Sequence, residues 1–391
     1  MPADLEAAAA PRLRDLLPYN TALFLGYCAV GVPLPVIALQ AGGPLGQGPV
    51  AVGLVVGVQY LVTLLARRFA GRLCDRRGAK LASLAGFAGA ALAGAIYLAS
   101  ALAPAIPLSL TLLVLGRIAV GIGESLFVTG AAAWGIAHVG IRHTGKVLAW
   151  NGIAMYGALA IGAPLGILLF RLGGFALVSA AVIALPLAGA AVAAPLRRAI
   201  PRPATAHASF ARILRAIWIP GLGLALASAG VGTIAAFLSL RYETQGWPGA
   251  GFAVSAFGAT YIMMRLLFAG LPDRLGGRRV AIASLCVQAT GLTLIWLANG
   301  PALAFIGAAL TGTGYSLVFP SLGVEAMRPI APENRGLALG AFLACFDLGL
   351  GIAGPAAGVV TAGFGLPAAF LAAACGALVS VVLLGMTGRR K

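Results

Sequence analysis

The sequence predicts an all-α membrane protein, with twelve transmembrane helices arranged as two six-helix bundles, and three observations carry that prediction. Apolar runs long enough to cross a hydrocarbon core of ~30 Å as helix recur along nearly the whole chain. Their polar interruptions are short and basic, and the second half repeats motifs of the first. With 60% hydrophobic and only 9% charged residues and a mean hydropathy of +0.98, the 391-residue chain is not a water-soluble globule.

The runs fall at 20–41, 49–70, 81–101, 107–136, 147–170, 173–196, 217–240, 249–270, 280–299, 301–328, 337–362 and 365–387. They are continuously apolar, whereas barrel strands alternate over ~10 residues, so each must satisfy its backbone internally as a helix. In the first run, Pro33 and Pro35 of "GVPLPV" predict a break near the middle, with freed carbonyls of the kind that transporters place beside a cavity.

All but three of the 27 Lys and Arg residues lie in the N-terminal tail, at the loops after even-numbered runs, or in the terminal "RRK". Arg171 and Arg241 fall on the other side, and Arg117 lies inside a run. The positive-inside rule therefore predicts two cytoplasmic termini in a bacterial inner membrane, and the net charge of +17 is chiefly a topology signal. Spread over short segments, that charge offers no nucleic-acid-binding domain. Asp4 and Glu6 stand where a signal peptide would be basic, so residues 1–19 are read as a retained tail. Five singly placed cysteines predict neither a disulfide framework nor a metal site, and no cofactor is expected.

"FAGRLCDRRG" (69–78) returns one residue shorter as "FAGLPDRLGG" (268–277). "GIGESL" (121–126) matches "GTGYSL" (312–317), as Pro164 matches Pro355 and Gly145 matches Gly336, each at an offset of 191 residues. The repeat divides the chain into an N-terminal bundle (20–196), a basic, proline-containing linker (197–216) and a C-terminal bundle (217–388). Two parallel repeats suit rocking of one bundle against the other around a midplane site.

"GRLCDRRGAK" (71–80) puts five charges into ten residues of a chain that is otherwise apolar. Gly71 and Gly78 are expected to let a short connection reverse, and Arg72, Arg76, Arg77 and Lys80 to hold it on the basic side. Asp75 adds little to topology and calls for another use. The spacing Gly71, Leu73, Asp75, Gly78, Lys80 resembles the loop signature of the major facilitator superfamily, and the twelve-run plan extends that resemblance along the chain. "WNGIAMYGALAIGAPLG" (150–166) and "GTGYSLVFPSLGV" (312–324) further resemble its YhhS-like exporter branch. The resemblance implies that Asp75 bridges to the start of the eleventh span in the outward-facing state, with Asp273, Arg274 and Gly276 as the second copy of this latch.

Arg117, Glu124 and Asp347 lie deep in apolar runs, where a charge costs at least ~2.5–3.5 kcal/mol and therefore needs a partner or a task. Arg117, Gly121 and Glu124 share one helix face. "LVLGRIAVGIG" (113–123) resembles a superfamily signature whose arginine is associated with proton coupling, with Val120 in place of its glutamine. Glu124 is the first candidate for a proton carrier, because a carboxyl that passes between an apolar cavity and water changes its proton affinity. The competing reading is a static Arg117–Glu124 pair. Asp347 is a second proton site, a cation-binding group or a hydrogen-bond anchor, on a face continued by Gly351, Gly354 and Gly358. Glu325 is expected to pair with Arg328 on its own helix.

Gly162 and Pro164 in "GALAIGAPLG", with Gly354 and Pro355 in the second half, are candidate hinges. Tyr27, Gln59, Asn151, Tyr156, Tyr261 and Tyr315 are the candidate cavity residues, and so few charges favour an amphipathic organic solute over phosphate. The function expected is proton-coupled antiport, an export of small organic molecules by alternating access. The alternative is an importer or facilitator of sugar-like or amino-acid-like solutes. No HExxH, GxSxG or P-loop motif supports an enzyme or an ATP-driven pump. The partners expected are substrate, protons and lipid, and the chain is expected to be a monomer.

Overall fold

A computed structural model describes residues 13–140, 144–198, 209–331 and 334–387. Helix α1 (Leu13–Gly31) already occupies part of the expected tail, and α2 (Leu34–Gly42) continues the same crossing. The break between them is the one that Pro33 and Pro35 predict. The next crossings are α3 (Pro49–Arg77), α4 (Ala79–Leu102), α5 (Ile106–Val139) and α6 (Thr144–Ala193). In the second half, the short α7 (Phe210–Ala216) lies in the expected linker, capped by the Ser209 side chain. The helix α8 (Trp218–Thr233) passes through a π-helical segment, Ile234–Leu238, into α9 (Ser239–Thr244). Then come α10 (Ala250–Phe268), α11 (Leu271–Leu275), α12 (Gly277–Leu297), α13 (Pro301–Met327), α14 (Arg335–Phe364) and α15 (Leu366–Thr387).

Among the described residues, 11 helices are long and apolar enough to span a membrane. One of them, Val147–Ala193, takes in two of the expected runs. Its backbone leaves helical geometry at Gly173 (φ −148°, ψ 23°) and Gly174 (φ 63°, ψ −162°), the second in a region that favours glycine. Ala158 touches α1 at Gly31, and Gly189 touches α1 at Ala22 and Gly26. On a straight helix those two contacts would lie about 46 Å apart, whereas along α1 they span about 14 Å. The helix therefore folds back at the glycine pair into two antiparallel limbs.

"GRLCDRR" (71–77) forms the last turns of α3, contrary to the loop expected, and the connection to α4 is Gly78 alone, at φ 92°. Gly71 is thus helical and not a turn residue, because one positive-φ glycine suffices for the reversal. Gly276 does the same before α12 at φ 89°. Lys80 donates to the carbonyls of Ala194 (2.6 Å) and Leu196 (2.7 Å), fixing the end of α6 beside the α3–α4 connection. Trp134 Nε1 donates to Arg197 O (2.9 Å) at the same end, the basic end of the molecule.

Glu325 does not pair with Arg328. Its Oε1 instead accepts from the backbone N–H of Arg278 (3.2 Å), an unsatisfied donor in the first turn of α12 whose dipole favours a carboxylate.

Candidate functional site

The halves meet along two antiparallel helix pairs, α3 with α14 and the first limb of α6 with α10. In α3–α14, Gly53 lies against Gly354, Gly57 against Gly351 and Pro355, and Gly358 against Pro49 and Val50. In the other pair, Gly251 lies against Pro164 and Gly258 against Ala160. Small residues let the backbones touch, and all these contacts lie in the half of the molecule away from the basic end. Gly71 on α3 and Gly340 on α14 have open space instead. Pro164 cannot donate to Ala160 O, and Ser255 Oγ of α10 occupies that freed acceptor (2.6 Å). Neither Pro164 nor Pro355 interrupts its helix, and the non-helical residues of α6 are the Gly173–Gly174 pair. Gly162 rests on Gly31, the last residue of α1, and on Val32 just after it, within its own half.

Toward the basic end the interface becomes polar. Glu124, 5% exposed on α5, accepts from Gln59 Nε2 (2.7 Å) and Thr63 Oγ1 (3.3 Å), both on α3. The buried ring of Tyr27 packs edge-on against Phe127, also on α5, with 6.4 Å between centroids. One turn beyond Thr63, Arg67 holds Asp347 of α14 in a two-pronged ion pair: Nε binds Oδ2, and Nη2 binds Oδ1 at 2.8 Å. Gln59, Thr63 and Arg67 follow at i, i+4 and i+8, so one face of α3 serves both carboxylates. Asp347 is 2% exposed, and this is the one ion pair among the described residues.

Arg117 does not pair with Glu124. It is fully buried, and its Nε and Nη2 donate to the carbonyls of Val55 (3.1 Å) and Val56 (2.8 Å) on α3. About 10 Å of helix rise separates the two residues, so a shared face does not bring their charges together. The sequence reading also missed Arg67, Thr63 and Arg265. Arg67 lay within the expected span 49–70 at helical spacing from Gln59, and that was the available signal.

Tyr156 of α6 stacks on Tyr261 of α10 across the interface, with centroids 3.6 Å apart and planes at 22°. Tyr315 of α13 lies 6.2 Å from Tyr261 and 6.5 Å from Tyr156, and its hydroxyl pairs with Ser228 (3.0 Å). Arg265, one turn after Tyr261, donates to the Tyr261 hydroxyl (2.6 Å). Three of the expected cavity tyrosines thus meet, Gln59 joins Glu124, and Tyr27 lies against Phe127. Asn151 is buried and makes no side-chain hydrogen bond among the described residues. These residues fill their space with one another. A cavity of about 420 Å³ lies elsewhere, between α10, α12 and α13, lined by Met264, Arg279, Ser284 and Leu317 among others.

Asp75 is exposed and makes no ion pair or side-chain hydrogen bond among the described residues, so the bridge to the start of α14 is not formed here. Arg76, Asp273, Arg274 and Gly276 are exposed as well.

A membrane-spanning helical protein whose halves enclose buried charge along two mirrored helix pairs has the build of a small-molecule transporter. The family model described as Major Facilitator Superfamily matches residues 20–250 and 221–391, and the chain belongs to that superfamily. Two uncharacterized MFS-type transporters are similar in sequence. YhhS of Escherichia coli (strain K12) is 42% identical, over 97% of this chain and 92% of the relative. One from Burkholderia pseudomallei (strain 1106a) is 44% identical, over 92% and 88%. The fold is shared with the nucleoside transporter NupG (TM-score 0.74, 16% identity, 97% of this chain and 100% of that one). It is shared too with the human organic anion transporter MFSD10 (TM-score 0.69, 16% identity, 96% and 100%). The protein is a multi-pass membrane transporter.

Proposed function

We propose that the chain is a proton-coupled antiporter that exports small amphipathic organic molecules from a bacterial cytoplasm by alternating access. The observation that carries this reading is Glu124, a carboxyl buried beside the bundle interface and hydrogen-bonded by neutral donors. A charge there is costly, and a proton is its simplest neutraliser. Gln59 suits both protonation states, because Nε2 donates to a carboxylate and a flipped amide presents Oε1 to the protonated acid. Oε1 has no partner among the described residues.

Arg67 supplies the coupling. With the halves closed away from the basic end, it is held by Asp347 of the opposite half. When α14 pivots against α3, Arg67 swings along its own helix face to Glu124, and whichever carboxyl it leaves takes up a proton. Arg117, fixed on α3 carbonyls, ties α5 to α3 so that Glu124 moves with Gln59 and Thr63. The charge distribution supports a reading in which the basic end and both termini face the cytoplasm. Asp75 and Asp273 then latch the halves at that end when the opposite end opens.

The test is proton flux in proteoliposomes loaded with a pH-sensitive dye and challenged with sugars, amino-acid derivatives, aromatic acids and cationic amines. A compound that moves protons with wild type and fails to do so with Glu124→Gln supports coupling through this residue. Proton movement unchanged in Glu124→Gln removes that role. Substrate movement with no proton signal in wild type makes the protein a facilitator.

A further inference from the structure

The tyrosine cluster carries an inference about cargo, one that rests on the transporter reading but not on its proton coupling. Tyr156 and Tyr261 come from opposite halves, and their stack spans the interface that must part during transport. Parting exposes two parallel aromatic faces, each of which loses its ring partner. A flat aromatic molecule entering between them restores both contacts at once. Tyr315 and Phe257 stand beside the same rings, with Phe257 6.2 Å from Tyr156, so the slot is walled by aromatic surface.

Charge at the slot's edge comes from Arg265. Its guanidinium lies 5.2 Å from the Tyr261 ring centroid and donates to that residue's hydroxyl. The only ion pair among the described residues is Arg67–Asp347, so Arg265 has no carboxylate. Its Nε is buried and has no acceptor among the described residues. Arg117 in the first half also keeps one buried nitrogen without a partner among the described residues, but its other donors are held by two carbonyls away from the tyrosine stack, whereas Arg265 lies at the stack's edge. A guanidinium fork with spare donors beside an aromatic slot matches a carboxylate in geometry and charge, and it opposes a cation.

We infer that the binding site takes a planar aromatic carboxylate, with its ring between Tyr156 and Tyr261 and its acid group on Arg265. Ser228, already bonded to the Tyr315 hydroxyl, fixes the far wall of the slot.

Equilibrium binding to the purified full-length protein in lipid nanodiscs tests this without any proton gradient. The probes are benzoate and indole-3-acetate, their neutral amides, and benzamidine as a cation of the same ring size. The acids are expected to bind at least tenfold more tightly than the amides, with benzamidine weakest. Arg265→Gln is expected to remove that tenfold preference and Arg265→Lys to retain only part of it, since an ammonium keeps the charge but not the fork. Tyr156→Leu should weaken acids and amides alike, and unliganded melting temperatures identify any variant that fails to fold. Equal affinity for acid and amide, preference for the cation, an acid preference that survives Arg265→Gln, or no binding of either acid overturns the proposal. Loss of coupling in Glu124→Gln with aromatic acid binding intact leaves it standing, so its failure and that of the coupling mechanism are separable.

Discussion

Arg67 and Asp347 are a case in which removing one partner costs more than the pair contributes. Arg67→Leu leaves Asp347 buried in the opposite half without a cation, a situation that typically costs about 3–5 kcal/mol. The expected outcome is a lower unfolding temperature and lost transport, with stability but not transport partly restored by the exchanged pair Arg67→Asp with Asp347→Arg. Failure of the exchange to restore stability would mean that position, and not the pair, matters. Glu124 and Asp347 were legible in the sequence because an acid in an apolar run has no topological purpose. Arg67 and Arg265 were not, because a basic residue near the end of a span satisfies the positive-inside rule and so hides a second role. Nor did shared helix face tell whether Arg117 would meet Glu124, since about 10 Å of rise lets each find other partners.

At the level of helices, contact between the halves depends on residues with almost no side chain. Gly57→Leu would drive a branched side chain into Gly351 and Pro355 of α14. Overpacking of this kind costs typically 1–3 kcal/mol, here charged to the closed arrangement alone. Transport is expected to stop while the protein still purifies as a folded species, and size-exclusion and melting measurements check that split. Ser255→Ala leaves Ala160 O, already deprived of its helical donor by Pro164, without any protein donor. A loss of about 1–3 kcal/mol is expected, and Ser255→Ala combined with Pro164→Ala should recover most of it, because the restored N–H serves the same carbonyl. Apolar runs gave most span ends to within a few residues, but α1 begins seven residues before its run and α3 ends seven after. They did not give the single-residue α3–α4 connection, because helix and loop are equally open to charged residues once the chain leaves the lipid. The α6 reversal left only two glycines as its mark.

On the scale of the whole molecule, the two halves repeat one plan: Pro355 faces Gly57 as Pro164 faces Gly251, and Arg67 and Arg265 sit near the basic ends of α3 and α10. The duplication was readable from motif offsets, whereas the end at which the halves close depends on packing that no single motif encodes. Spin labels at Gly71→Cys and Gly340→Cys, in a background without the five native cysteines, report that choice. Their separation is expected to be broad and long at rest and to shorten when substrate and a proton gradient are imposed. Asp75→Asn should diminish the shortened population without altering the resting one. An unchanged distance distribution in the wild type would argue against rocking about this interface.

The π-helical turn at Ile234–Leu238 acts as a spacer of one residue. Arg241 and Tyr242, just beyond it, reach Ala298 O (2.6 Å) and Pro301 O (2.7 Å), and Arg241 also covers Trp247. Tightening the turn to ordinary helix with all its residues kept would rotate everything after it by about 100°. Both side chains would then swing away from the α12–α13 connection toward different neighbours. That surplus residue sets the angular registration by which the seventh crossing is fastened to the rest of its half.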